Sequence, residues 1–255
     1  MRGAKFRRVI VNRPNLRIPF PDRFVDRLRG QSVTAVSRRG KYLIVELSSG
    51  ETLIMHLGMS GWFHVAPIGD RSRDADPHDH VAFVMSSGQT VLFNDPRRFG
   101  FMDLSAPGQL EHYPSLSVMG PEPLSSDFDA KALARACRGK KVSLKVALLD
   151  QKVVAGLGNI YASEALHHAR LSPLRKAATI ATVSGAPRKT AEQLAKSIKA
   201  VLTSAIRRRE SPYRSARFQV YEREGKPCPR KGCGGTIRRI QQAGRSTFYC
   251  HNCQK

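Results

Sequence analysis

The stretch "CPRKGCGGTIRRIQQAGRSTFYCHNC", Cys228 to Cys253, encloses a basic segment between two pairs of cysteines. Four residues separate Cys228 from Cys233, two separate Cys250 from Cys253, and sixteen lie between the pairs. Such spacings suit a structural zinc site, in which four thiolates close a tetrahedron around one Zn2+. A disulfide framework is the poorer reading, since five cysteines are few for a secreted scaffold of 255 residues. Between the pairs, "TIRRIQQAGRSTFYC" reads as two strands joined by a turn at Gln242-Ala243-Gly244-Arg245. The prediction is a β-hairpin finger with Arg245 at its tip. It has too little core to fold alone, so the metal must fix it. His251, between two ligands, reads as an exposed spectator.

Outward from the finger, the whole chain shares its basic character. There are 43 Lys and Arg against 20 Asp and Glu, a formal net charge of +23. That excess disfavours a compact state unless a polyanion uses it, and nucleic acid is the first candidate. At 41% hydrophobic the chain can bury real cores. No apolar run reaches membrane-spanning length, and the N-terminus lacks a signal-peptide core. The reading therefore expects a cytoplasmic protein with no membrane partner. Cys137, after "ALARA", reads as a small buried side chain on an amphipathic helix.

Helical patterns precede the finger: "DAKALARACRG", "SLKVALLDQKV", "NIYASEALHHAR" and "APRKTAEQLAKSIKAVLTSAIRRR". Ser125-Ser126-Asp127 and Ser184 are candidate caps. Leu144, Ala147, Leu148 and Gln151 share one helical face. Gly156 and Gly158 then break the pattern, and Asn159 is placed to cap the next helix. Glycines let backbone approach an anion, and a helix start offers free N–H groups and a positive dipole end. An ordinary tight helix connection fits the spacing equally well; Lys152 beside the turn tilts the reading to a phosphate grip.

Further back the chain is β-rich. "KYLIVELSSGETLIMHLG" and "HVAFVMSSGQTVLFND" are hairpins around Ser48-Ser49-Gly50 and Ser86-Ser87-Gly88. "FRRVIVN" and "SVTAVSRR" add strands, and "RIPFPDRFVDRLRG" adds a short helix that could cover an edge. A sandwich or barrel-like pair of sheets follows. Two loops stand out. "NDPRRFGFMDL" puts Arg97 and Arg98 beside Phe99, a composition suited to entering a stacked duplex; Met59 in "HLGMSGWF" is a second apolar loop residue. Spacing alone favours core positions at strand ends for Met59 and Phe99.

Taken in order, "GKYLIVEL", "HLGMSG", "HDHV", "DPRRFG", "MGPEPLSSDF", "LLDQKVVAGLGNIYASEAL" and "GRSTFYCHNCQK" closely resemble the signatures of the formamidopyrimidine-DNA glycosylase family, also called Fpg or MutM. The resemblance runs nearly end to end. It implies an α+β multi-domain fold: an N-terminal β-sandwich over residues 1–106, a linker over 107–124, a helix–two-turn–helix domain over 125–217 and a zinc finger over 218–255. It implies a monomeric clamp with duplex DNA, carrying oxidised bases or abasic sites, in the cleft between the two domains. Asn159 and Lys152 would then grip phosphate near the lesion, as would Lys41, with His56 close to the same backbone and Arg245 at the finger tip. Met59, Arg97 and Phe99, with Arg98 beside them, would fill the gap left by a flipped nucleotide. That reverses the reading from spacing. The implied activity is excision of 8-oxoguanine and formamidopyrimidines, followed by nicking of the abasic site by β,δ-elimination.

Three departures stand against the family pattern. The first cysteine pair has four intervening residues where two are commonest. "RRRESPYRSARFQVYEREG" is shorter than the family's loop over the everted base, which bears on base preference. Family members begin Met-Pro-Glu-Leu-Pro-Glu, with the proline amine as nucleophile and the glutamate as acid–base partner. This sequence begins Met-Arg-Gly-Ala-Lys-Phe. The expectation is a true start about one helix upstream, with a truncated sandwich here and Lys41 in at most a minor catalytic role. A non-catalytic damage binder is the second hypothesis, and a zinc-ribbon RNA-associated protein the third.

Overall fold

The computed structural model describes residues 1–69, 76–207 and 218–255. Contacts divide the chain into two compact units, Met1–Ser117 and Val118–Lys255.

The first unit contains β1 (Phe6–Val11), α1 (Phe24–Leu28), β2 (Val33–Arg39), β3 (Tyr42–Leu47), β4 (Thr52–His56), β5 (Trp62–Pro67), β6 (Asp79–Met85), β7 (Gln89–Asn94) and β8 (Phe101–Ser105). They build two four-stranded antiparallel sheets, ordered β1-β6-β7-β5 and β2-β3-β4-β8. The two expected hairpins are β3–β4 and β6–β7. Side chains alternate across each strand. Val81, Phe83 and Met85 of β6 share one buried cluster with Val45 and Leu47 of β3 and Leu53 and Met55 of β4. A core common to both sheets is what makes the unit a sandwich. Phe24 and Leu28 of α1 join it, so the helix covers apolar surface of this core. Each fully buried Leu or Phe contributes about 1.5–3 kcal/mol. After β8 come a 3-10 turn, Leu110–His112, and α2 (Pro114–Ser117).

The second unit holds α3 (Ala130–Cys137), α4 (Leu144–Leu149), α5 (Asn159–His168), α6 (Lys189–Arg207), and the hairpin of β9 (Ile237–Gln242) and β10 (Arg245–Cys250). Its helices pack on a core that includes Phe128, Leu133, Leu148, Leu166 and Ile198. Cys137 is buried there, and burial pushes its thiol up to about 11. The hairpin turns at Ala243 and Gly244, with φ of 46° and 72°. Two successive left-handed residues match the right-handed strand twist, and glycine takes that conformation freely.

Several local expectations are corrected. The cap of α3 is Asp129, whose Oδ1 accepts from the Ala132 amide at 2.7 Å, rather than any residue of Ser125–Asp127. Ser184 caps nothing: its hydroxyl pairs with Thr182 at 2.8 Å, and α6 starts at Lys189. α4 ends at Leu149, so Gln151 leaves the helical face and enters the turn. Asn159 is the first residue inside α5, and Gly158 holds the cap position. Residues 208–217, which contain most of the segment read as a shortened loop, lie outside the described residues.

Candidate nucleic-acid interface and metal centre

In the first unit, register gathers the candidate residues at one end of a sheet. Tyr42 of β3 pairs with His56 of β4, and His56 pairs with Phe101 of β8. Lys41 precedes Tyr42, the Met59 loop follows His56, and the Arg97–Phe99 loop precedes Phe101. All therefore leave from the same end. The His56 ring stacks on Phe101, centroids 5.6 Å apart, and its Nδ1 accepts from the Gly58 amide at 2.9 Å. Burial, then the positive charges of Lys41 and Arg17, hold its pKa below the ordinary histidine value. A neutral ring accepting at Nδ1 carries its proton on Nε2.

Asp95 organises the two loops. It is fully buried; Oδ1 accepts from Ser60 Oγ at 2.5 Å and from the Arg97 amide at 3.3 Å, and Oδ2 from the Gly100 amide at 2.8 Å. The loops also touch at Gly58, where a Cβ would stand 2.4 Å from the Phe99 carbonyl carbon and φ is +65°. Only glycine permits that approach. The result is outward display. Met59 is 73% exposed and Phe99 40%, which overturns the core positions that spacing alone favoured for both. The Arg97 guanidinium lies 4.6 Å from the Phe99 ring centre, a cation–π contact that leaves the cation beside the aromatic. Arg98 is exposed, with φ of 54°.

In the second unit, Gln151 closes the glycine turn. Its Oε1 accepts from the Gly156 amide at 2.8 Å, and its Nε2 donates to the carbonyls of Leu149 and Leu157. Lys152 is exposed, and its amide donates to Asp150 Oδ1 at 3.0 Å. The Asn159 side chain meets Lys145 and the finger. Its Oδ1 accepts from Lys145 Nζ at 2.5 Å, and its Nδ2 donates to the Ser246 carbonyl at 3.0 Å. Lys145 Nζ also donates to Thr247 Oγ1 at 2.8 Å and Ser246 O at 3.2 Å. Burial first, then the charge of exposed Arg245, brings the Lys145 pKa down to about 8. Its three partners are neutral oxygens, so its charge is not cancelled locally. One Asn159 N–H is spent on Ser246; the amide has a second donor to offer. Lys145 was missed by the sequence reading. The available signal was a single cation inside the apolar helical run "SLKVALL".

The four finger sulfurs form a metal-ligand cluster, all within 4.8 Å of one another. Cys228 and Cys253 are 3.9 Å apart, and Cys233 and Cys250 3.5 Å. Tetrahedral Zn–S bonds of about 2.3 Å put sulfurs about 3.8 Å apart, so the set fits one structural zinc. These separations are far too long for disulfides. His251 is exposed, as a spectator should be. The finger's own core is small: Val220, Ile237, Phe248 and Cys250. Glu164 of α5 ties down its base, accepting the amides of Gln219, Val220 and Tyr221 at 2.8, 2.9 and 3.0 Å.

Three family models match the chain in succession. Residues 1–102 match the formamidopyrimidine-DNA glycosylase N-terminal domain, 119–216 its H2TH domain, and 225–255 the zinc finger found in FPG and IleRS. The chain belongs to the formamidopyrimidine-DNA glycosylase family. It is 53% identical to the formamidopyrimidine-DNA glycosylase of Rhodopseudomonas palustris (strain BisA53), covering 100% of this chain and 94% of that one. It is 51% identical to that of Bradyrhizobium sp. (strain BTAi1), with the same coverage. Among solved structures, the Lactococcus lactis enzyme bound non-covalently to DNA containing an AP site superposes with a TM-score of 0.86. It is 32% identical, over 99% of this chain and 93% of that one. MutM in complex with DNA containing carbocyclic 8-oxo-G gives a TM-score of 0.87 at 31% identity, with the same coverage. The family is one of DNA-repair glycosylases that bind DNA and carry a zinc finger. Among the described residues no helix is long and apolar enough to cross a membrane.

Proposed function

We propose that this chain recognises oxidised purines and abasic sites in duplex DNA, extrudes the damaged nucleotide, and serves base excision with subsequent β,δ-elimination. The observation that carries this reading is the pair Met59 and Phe99, held exposed by buried Asp95 and flanked by Arg97. A glycosylase must bring C1′ and the base edge out of the stack, because neither is reachable inside it. An apolar wedge with a neighbouring cation can occupy the vacated space and face the phosphates beside it. In the first unit, Lys41, His56 and Arg98 leave from the same end of the sheet and supply the polar contacts beside that wedge. Asn159, Lys152 and Arg245 supply phosphate contacts from the second.

The bond-breaking step calls for a neutral amine at working pH. In the family's chemistry a proline α-amine, of pKa near 8, attacks C1′ as the C1′–N bond to the base breaks. A neighbouring carboxyl group protonates what leaves. The sugar ring then opens as the C1′–O4′ bond breaks and O4′ takes a proton, leaving an iminium at C1′; loss of a C2′ proton breaks the C3′–O bond, and a second elimination breaks the C5′–O bond. This sequence begins Met-Arg-Gly-Ala-Lys-Phe and does not include that proline and glutamate, so the test uses two polypeptides. One is the 255-residue chain; the other extends it with the family's Pro-Glu helix. Both should bind duplexes with an abasic-site analogue. Borohydride trapping and release of 8-oxoguanine should rise sharply with the extension. Absence of any gain would favour a non-catalytic damage binder, and efficient excision by the unextended chain would place the nucleophile elsewhere.

A further inference from the structure

α5 begins at Asn159 and reaches the metal cluster near its other end. There His167 Nε2 lies 3.5 Å from Cys228 Sγ, and the ring is buried. The His167 carbonyl accepts from Arg230 Nη2 at 2.7 Å. Arg230 is one of the four residues between Cys228 and Cys233, in the wider of the two knuckles. The widened knuckle therefore supplies the side chain that seats the His167 backbone, while the His167 ring faces the first ligand of that same knuckle.

A histidine at this distance could be a fifth candidate ligand or a donor to an existing one. The ligand cluster comprises the four cysteines alone, so the ring stands outside it, against Cys228. A zinc-bound thiolate keeps excess negative charge and accepts N–H donors, which orient it and lower its basicity. Cys233 has such a neighbour in Asn252, whose Nδ2 lies 3.6 Å from its sulfur. We propose that His167 donates an Nε2–H hydrogen bond to the Cys228 thiolate and, clasped through Arg230, slows loss of zinc from the finger. His167 is thus a positioning residue for the metal centre. Its effect extends along the hairpin, because β10 is tied to the metal through Cys250 and to Lys145 and Asn159 through Ser246.

The test uses the full zinc-loaded chain and excess of a chromogenic chelator. His167→Phe keeps an aromatic ring and removes the N–H; His167→Gln places an amide N–H near the Nε2 position. Removing an outer-shell partner commonly costs about 10- to 100-fold in metal affinity. Zinc release from His167→Phe should therefore be at least about 10-fold faster. Peptide mapping after brief iodoacetamide treatment should show Cys228 as the first cysteine modified. His167→Gln should remain near wild type in both. An unchanged release rate for the Phe variant, or equal acceleration by Phe and Gln, would overturn the proposal in favour of simple packing. Should His167→Phe fail to fold, Arg230→Met tests the clasp from the other side. Faster release with early Cys228 alkylation supports the proposal, and wild-type behaviour overturns it.

Discussion

The sandwich loops and the helix–finger junction solve opposite problems with opposite materials. At the loops a charged group, Asp95, is buried so that apolar groups, Met59 and Phe99, can be exposed. At the junction a cation, Lys145, is buried against neutral oxygens so that positive potential persists next to Asn159 and Arg245. The first arrangement resists collapse of the wedge into the core. The second resists neutralisation of the basic surface proposed to meet phosphate. Apolar display is maintained by backbone geometry, through Gly58 and the amides held by Asp95; electrostatic display is maintained by leaving a cation without a carboxylate. The two regions should therefore respond differently to mutation, metal, pH and salt.

The largest contrast is in metal dependence. Cys250→Ser removes one of four ligands and leaves a core of only a few residues. Structural zinc couples about 10 kcal/mol or more to folding in such modules. Hydrogen exchange should show β9 and β10 unprotected, while β3, β4 and α3 keep their protection because their cores are separate clusters. Zinc content measured by mass spectrometry should fall to near zero. Loss of protection in the sandwich as well would abolish the distinction between the regions.

Next in size is Lys145→Met. The change keeps length and removes a charge near Arg245 and a donor to Asn159. Hydrogen bonds to charged groups contribute about 1.5–3 kcal/mol, so DNA affinity should fall roughly 10-fold or more. pH sharpens the case. The Lys145 pKa is lowered to about 8 in the folded chain, below the value of about 10.4 expected when unfolded. Between those values the unfolded chain binds more protons, so stability rises with pH there. DNA affinity should move the other way, falling as pH rises through about 8 and Lys145 loses its charge. The Met variant should lack both trends from this group. Parallel pH profiles for variant and wild type would separate Lys145 from the phosphate surface.

Arg245→Ala should have a smaller effect. The side chain is exposed at the finger tip and touches the rest of the chain mainly through its field at Lys145. Affinity should drop alike for damaged and undamaged duplexes. The slope of log K against log salt should fall by about 0.9, the contribution of one phosphate contact. Discrimination between the duplexes would be evidence of base readout instead.

How much of this was legible in the sequence differed between the regions. Periodicity and the Ser-Ser-Gly turns located both hairpins of the sandwich, and cysteine spacing located the metal cluster, because each is written in local order. Exposure of Met59 was not local: it depends on Gly58 meeting Phe99 across 41 residues of chain. The role of Asp95 was not legible, since its partners Ser60 and Gly100 come from two loops. Lys145 escaped notice because its partner Thr247 lies 102 residues further along the chain, on β10. Asn159 looked like a cap because caps are the default use of asparagine at a helix start. A lysine fourteen residues earlier and a carbonyl from the hairpin claim its side chain instead.

The smallest expected change in affinity, and the most informative, belongs to Phe99→Ala. The exposed ring meets the Arg97 guanidinium, and the close approach of Gly58 is to the Phe99 backbone, so loss of the ring should leave folding close to wild type. Binding to undamaged duplex, dominated by phosphate contacts, should change little. The wedge acts on the unstacked state, so its removal should lower the population of extruded nucleotide without lowering encounter. A 2-aminopurine opposite or beside the lesion reports this directly: its fluorescence on binding should rise less with the variant at equal occupancy. Met59→Ala should do the same to a lesser degree, since a flexible side chain loses more entropy on insertion than a ring with two torsions. If Phe99→Ala instead weakened undamaged-duplex binding as much as Arg245→Ala does, with the same loss of salt slope, the loop would be a phosphate contact through Arg97. The division between an apolar region and an electrostatic one would then fail at its clearest point.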